Sequence, residues 1–212
     1  MADGRSRYGG KGLNKLVCEI KACRLCAEQP IGPPLPHEPR PVLQVGRTAR
    51  IGVFGQAPGL KVHGSGRPFT DPSGVRLRAW MGISEEAFYN SARVAVVPMG
   101  FCFPGYSAKG ADLPPRSECA PKWRQRVMDE LPNLQVALLV GRFAQSWHLG
   151  PRNRKTLSET VAGWREFGRE GGLTMVPLPH PSWRNNAWLK RNPWFEAELL
   201  PDLRALVGRI LG

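Results

Sequence analysis

Residues 55–74, GQAPGLKVHGSGRPFTDPSG, follow the apolar run Ile51-Gly52-Val53-Phe54 and lead into residues 75–81, VRLRAWM. The apolar run reads as a buried strand and the segment after the loop as a helix. In open α/β sheets, ligands bind outside the carboxyl ends of the strands, where such strand-to-helix loops lie. This loop is longer than an ordinary connection. It also carries mixed chemistry: an amide (Gln56), an imidazole (His63), an aromatic ring (Phe69) and a carboxylate (Asp71).

Working outward, three more apolar runs have strand character, at residues 93–99, 134–140 and 173–178. Helical spacing appears at residues 13–23, 84–89 (with Ser84 as N-cap), 118–131, 141–149, 158–167 and 194–211. Strands alternating with helices predict an α/β fold, a three-layer α/β/α sandwich around a mostly parallel four-stranded sheet. Residues 13–212 are expected to form one domain, and the Gly-rich, basic residues 1–12 to be disordered. Residues 29–50 hold many prolines and no periodicity, which reads as a stiff wrapping segment. All four strand ends would then face the same way, with chemistry concentrated after the first strand and, at His180 to Asn186, after the last.

The chain has 212 residues and a formal net charge of +13. The excess is spread along its length, which implies a polyanionic partner, nucleic acid rather than membrane. No apolar stretch is long enough to span a bilayer. The basic N-terminus has no apolar segment behind it, so a secretory signal is not expected and a cytoplasmic location is. Five cysteines in such a chain read as metal ligands or core residues rather than disulfides. Cys18 falls in the expected first helix and reads as buried. Cys23 and Cys26 form a CxxC, and Cys102 and Cys119 sit at later element boundaries. Together the four suit zinc or an iron–sulfur cluster, and spacing alone does not separate these.

GQAPG followed by GRPF, and HPSWRNN after the last strand, resemble the two active-site motifs of the uracil-DNA glycosylase superfamily. The cysteine pattern is similar to the cluster ligands of its iron–sulfur branches, families four and five. The resemblance spans about residues 13 to 210. It implies a 4Fe–4S cluster on Cys23, Cys26, Cys102 and Cys119, with structural zinc as the alternative. It also implies removal of uracil or a related deaminated base from DNA.

Some positions depart from the pattern. Gln56 stands where family four has a glutamate, and Ala57 where the efficient uracil enzymes have an aspartate. The family's base-reading asparagine falls at or near Pro98. FTDPSG nonetheless resembles the FTGD stretch of family five, a branch that accepts several altered bases, so the resemblance implies a broad or shifted substrate range equally with strict uracil specificity.

On this reading Asp71 stabilises the sugar cation and orients water, with helix capping as its alternative role. His180 donates a hydrogen bond to the departing base, and Gln56 positions water. The backbone around Gln56 and Ala57 supports the base, Phe69 stacks on it or plugs the core beneath the loop, and His63 is either a polar group on the sugar side or a solvated loop residue. Ser182, Trp183, Arg184 and Asn185 form a DNA wedge with phosphate contacts, joined by Arg67, Lys190 and Arg191. A binding protein of the same fold with little turnover, and a metal-stapled nucleic-acid scaffold without a base pocket, are the competing readings.

Overall fold

The computed structural model describes residues 11–168 and 172–212. Four short strands, β1 (Ile51–Phe54), β2 (Val94–Val96), β3 (Val136–Val140) and β4 (Thr174–Leu178), form one sheet in the order β2-β1-β3-β4. Every pairing is parallel, with Val53 opposite Val96 and Leu138, and Leu138 opposite Val176. The expected three-layer α/β/α sandwich is therefore present, and its sheet is parallel throughout.

Both faces of the sheet are covered, which is why the strands read as continuous apolar runs rather than alternating ones. Ile51, Val53, Val136, Leu138 and Val140 pack on one side with α4 (Pro72–Met81), α5 (Glu85–Tyr89) and the C-terminal helix. Phe54, Ala95, Ala137 and Leu139 face the other side, against α1 (Lys11–Lys21), α6 (Cys119–Asp129) and α7 (Arg142–Leu149). Four further α-helices lie among the described residues: α2 (Leu25–Glu28), α3 (Leu60–Ser65), α8 (Leu157–Ala162) and α9 (Asn186–Arg191). Among the described residues no helix is long and apolar enough to cross a membrane.

Several boundaries follow from capping. Asp71 caps α4 and Pro72 opens it, while Gly82 closes it in the left-handed region. Ser84 accepts from the Ala87 N–H at the start of α5, and Thr156 with Glu159 forms a capping box on α8. The C-terminal helix is less regular than its sequence period predicts. A π-type turn, Phe195–Leu199, precedes α10 (Leu200–Leu211), whose second residue is Pro201. Proline has no N–H and crowds the carbonyl four residues back, so the helix widens there.

Three differences from the sequence reading have clear causes. Residues 60–65, read as loop, form α3 between Gly59 and the left-handed Gly66. Cys18 is exposed, not buried. The apolar stripe of α1 runs through Leu13, Leu16 and Ile20, and a residue two past Leu16 turns away from it. The helix α1 also begins at Lys11, inside the stretch expected to be disordered; residues 1–10 lie outside the described residues.

The proline-rich segment shields the edge of the sheet. Gln44 pairs antiparallel with Val96, and its side-chain amide donates to the carbonyls of Phe88 (2.9 Å) and Val94 (2.8 Å). Val42 N–H donates to Phe101 O at 2.7 Å. An otherwise open strand edge is thus covered.

On α7, His148 packs its ring against Phe54 with centroids 4.5 Å apart, and its Nε2 is shut off from solvent without a partner. Burial, reinforced by the Arg124 guanidinium, pushes its pKa down to about 3. The unfolded chain takes up a proton near the ordinary value of 6.5, whereas the folded chain does not until about 3. This contribution to stability is therefore complete above 6.5 and is lost progressively as pH falls toward 3. Across that window the wild-type unfolding free energy should lose about 1.4 kcal/mol per pH unit through this residue alone. Urea denaturation from pH 4 to 7 should show a shallower acid slope in His148→Phe.

Candidate functional site

A cavity opens at the carboxyl edge of the sheet. The loop after β1 lines it with Gly55, Gln56, Ala57, Phe69 and Asp71; the loop after β4 contributes His180. Pro98, after β2, and Asp112, further along the same connection, supply the rest of its chemistry-bearing wall.

Phe69 is held in an unusual conformation, the one non-glycine residue with positive φ (55°) among those described. Its carbonyl accepts from Tyr89 Oη at 3.0 Å and from Arg78 Nη1 at 3.3 Å. Its ring meets Phe88 edge-on with centroids 6.1 Å apart and lies over Gly55. The ring is thus anchored on the core and still borders the cavity, so the two roles weighed from the sequence are compatible. Strain of this kind persists only where surrounding contacts enforce it.

Asp71 likewise serves two ends. Its Oδ1 accepts the Gly74 N–H at 3.2 Å, capping α4, while the residue also borders the cavity. Burial pushes the pKa of His180 down; the negative charges of Asp71 and Asp112 act against this, and Arg184 acts with it. The imidazole is consequently neutral at pH 7 and has one N–H to donate. Gln56 lies against Gly141, whose φ of +83° and missing Cβ leave room for the amide: a Cβ there would sit 2.9 Å from Gln56 Nε2.

The loops after β1 and β4 are joined directly. On α4, Arg76 donates through Nη1 to Ser182 O (3.1 Å) and Asn186 Oδ1 (2.8 Å), linking groups 106 and 110 positions apart. Asn185 turns inward and donates from Nδ2 to His180 O at 2.7 Å, so its amide holds the histidine's backbone. Trp183 projects outward, 71% exposed, with the Arg184 guanidinium 5.4 Å from its ring centroid. Arg67 is folded back over the Tyr89 ring at 3.3 Å and lies 3.7 Å from Glu85.

His63 does not line this cavity. It faces His37 (centroids 4.4 Å apart) and Phe103, with its Nδ1 buried and unpartnered. Asp112, by contrast, was not among the residues singled out from the sequence, where it is one acid in a long connection of turn residues. A short antiparallel bridge between Tyr106 and Asp112 folds that connection back toward Gly59.

Cys23, Cys26, Cys102 and Cys119 line a second, much smaller pocket, with Ile20, Phe101 and Trp123 around them. Among the described residues no three His, Cys, Asp or Glu side chains close on one point as a single bound ion requires. Burial pushes the thiols of Cys26 up to about 11 and of Cys102 and Cys119 up to about 12. The Phe101 N–H donates to Cys119 Sγ at 3.4 Å. Beside them Arg116 pairs with buried Glu118 at 2.7 Å and donates to Pro33 O, tying the wrapping segment to the start of α6.

A parallel sheet with a cavity at its carboxyl edge, fed by loops from its outer and inner strands, defines an α/β protein with a ligand site where such sheets hold one. The family model of the uracil DNA glycosylase superfamily matches residues 43–204, and the chain belongs to that superfamily.

Gly74 packs its Cα so tightly on the loop that a Cβ would lie 1.8 Å from Phe69 O. Gly74→Ala must push the Phe69 carbonyl off Tyr89 and Arg78. A stability loss of about 1–3 kcal/mol is expected, read by thermal or urea unfolding.

Proposed function

We propose that this chain is a monofunctional DNA glycosylase that extrudes uracil or a related deaminated base and hydrolyses its N-glycosidic bond, opening base-excision repair. One observation carries the reading: Phe69 and Asp71 from one loop and His180 from another, over a hundred positions away, border the same cavity. Superfamily membership and the +13 net charge support a DNA partner.

The chemistry follows from what these groups offer. The nucleotide leaves the helix, at a cost of a few kcal/mol that stacking on Phe69 partly offsets. Trp183, exposed beside Arg184, fits the gap left in the stack. As the bond from C1′ to the base breaks, positive charge grows on the sugar and negative charge on the base. The neutral His180 donates its N–H to the base oxygen, a preorganised contact that strengthens as charge develops. The Asp71 carboxylate favours the cationic sugar and orients the attacking water, whose oxygen bonds to C1′ while the base departs. Asp112, near Gly59, adds to the negative potential on the cation. Among the described residues lining the cavity none is a lysine, which favours water over an enzyme amine as nucleophile.

The similarity of the cysteine pattern to the iron–sulfur branches supports the 4Fe–4S reading, with structural zinc as the alternative, and all four cysteines border one pocket. Cys23, Cys26, Cys102 and Cys119 would hold the cluster, which supplies a staple between the N-terminal helices and α6.

The second reading, a base- or abasic-site-binding protein with little turnover, draws on Gln56 and Ala57, which leave the first motif without an acid. An excision panel on labelled oligonucleotides containing uracil, hypoxanthine, xanthine and etheno-adducts, single-stranded and paired, separates the two. Cleavable product supports the glycosylase; tight binding without product supports the alternative.

Asn caps a helix as well as Asp does, so Asp71→Asn should leave unfolding unchanged while excision falls by about 10²–10⁴. Near-wild-type excision by this variant would remove Asp71 from the mechanism. Asp112→Asn should cost about tenfold, equivalent to about 1.4 kcal/mol in the barrier, measured in the same single-turnover assay.

A further inference from the structure

The helix α4 carries Asp71 at its N-terminus and, five positions further on, Arg76. The Nη1 of Arg76 donates both to Ser182 O at 3.1 Å and to Asn186 Oδ1 at 2.8 Å. These two acceptors bracket the short turn Trp183–Asn185. The turn closes on itself through the Asn185 N–H, which donates to Ser182 O at 3.1 Å, and is tied to the strand end by Asn185 Nδ2 on His180 O at 2.7 Å. Trp183, inside the bracket, is 71% exposed. The core packing of α4 falls to Leu77, Trp80 and Met81, so Arg76 is free for this contact.

We propose that Arg76 is the positioning residue that makes the Trp183 turn a preformed wedge; this rests on the glycosylase reading above. An unpinned turn pushed against stacked bases would recoil, because its backbone has many conformations of similar energy. Pinned at both ends to a helix that is itself anchored in the core, it keeps Trp183 at a fixed reach from Asp71 and the cavity. Binding energy then goes into unstacking the target nucleotide rather than into ordering the wedge. Extrusion from a paired duplex therefore depends on Arg76. A base in a single strand has no partner to leave, and its hydrolysis needs Asp71 and His180 more than a wedge. His180 keeps its own tie, from Asn185, in either case.

Arg76→Met keeps the length of the stem and removes the donors. Asn186→Ala removes one of the two acceptors and leaves α4 untouched. Both are tested in the full chain on one oligonucleotide, with uracil opposite guanine in duplex or in the single strand, under single-turnover conditions. A 2-aminopurine beside the uracil reports unstacking by its fluorescence, independently of cleavage. The proposal expects Arg76→Met to slow duplex excision by up to about 10²-fold, with a matching slowing of the fluorescence rise. The single-strand rate and the melting temperature should stay near wild type. Asn186→Ala should fall between. Because Arg76 acts through Trp183, adding Arg76→Met to Trp183→Ala should slow the duplex reaction no further than Trp183→Ala alone.

Equal losses on duplex and single strand overturn the proposal, as does a double variant whose losses multiply. A shallower salt dependence of duplex binding in Arg76→Met marks a direct phosphate contact instead and overturns it too. If Arg76→Met does not fold, Asn186→Ala decides: a duplex rate and fluorescence rise equal to wild type overturn the proposal. A wild-type protein that unstacks 2-aminopurine without releasing uracil overturns the glycosylase reading alone, and the fluorescence still decides on Arg76. One that does neither overturns both.

Discussion

Carbonyls at the carboxyl edge of a parallel sheet are the constraint on which this structure depends. Where the strands stop pairing, these groups are buried and must still find donors. Gln145 on α7 satisfies Leu139 O (3.2 Å) and Leu178 O (2.8 Å). Arg124 satisfies Val97 and Pro98, Asn185 satisfies His180, and Arg76 satisfies Ser182. Long polar side chains thus close the edge of the sheet around the cavity that Phe69, Asp71 and His180 border.

The same arrangement lets one residue hold structure and chemistry together. Asp71 caps α4 with one oxygen and borders the cavity. Phe69 is braced by Tyr89, Arg78 and Phe88 and still offers its ring. Bracing of this kind has a physical consequence. A ring and a carboxylate fixed before the substrate arrives need little reorganisation during the reaction, and preorganised charge acts most strongly in a site from which water is excluded. The backbone strain at Phe69 is confined to the point where this rigidity matters.

The two cavities are neighbours through a single stretch of chain. Beyond Val96, Val97 still donates to Val53 O at 2.8 Å, and Met99 and Gly100 to Gly55 O and Gln56 O at 2.9 Å, while Pro98, with no N–H, falls at the alternate, edge-facing position. A bend that presents Pro98 to one side and Phe101 and Cys102 to the other results. Proline at this position has no side-chain amide, and Asp112 reaches the same cavity from farther along the connection.

Much was legible in the letters. Apolar runs of strand length separated by helical spacing dictated a parallel sheet, and Asp71-Pro72 and Ser84 marked helix starts, because these signals are local. The loops after β1 and β4 could be picked out as the bearers of chemistry for the same reason. The helical period alone already places Cys18 off the α1 stripe, but the sequence could not find α3 between two glycines, or turn His63 away toward His37 and Asn185 inward toward His180. Nor could it single out Asp112 or Arg124, which look like any loop acid or helix cation until distant segments are packed against them. Residue type and spacing determined which elements form and which loops face one edge. Only the tertiary structure decided which side chains share a cavity, since that depends on contacts between residues far apart in the chain, where no periodicity reaches.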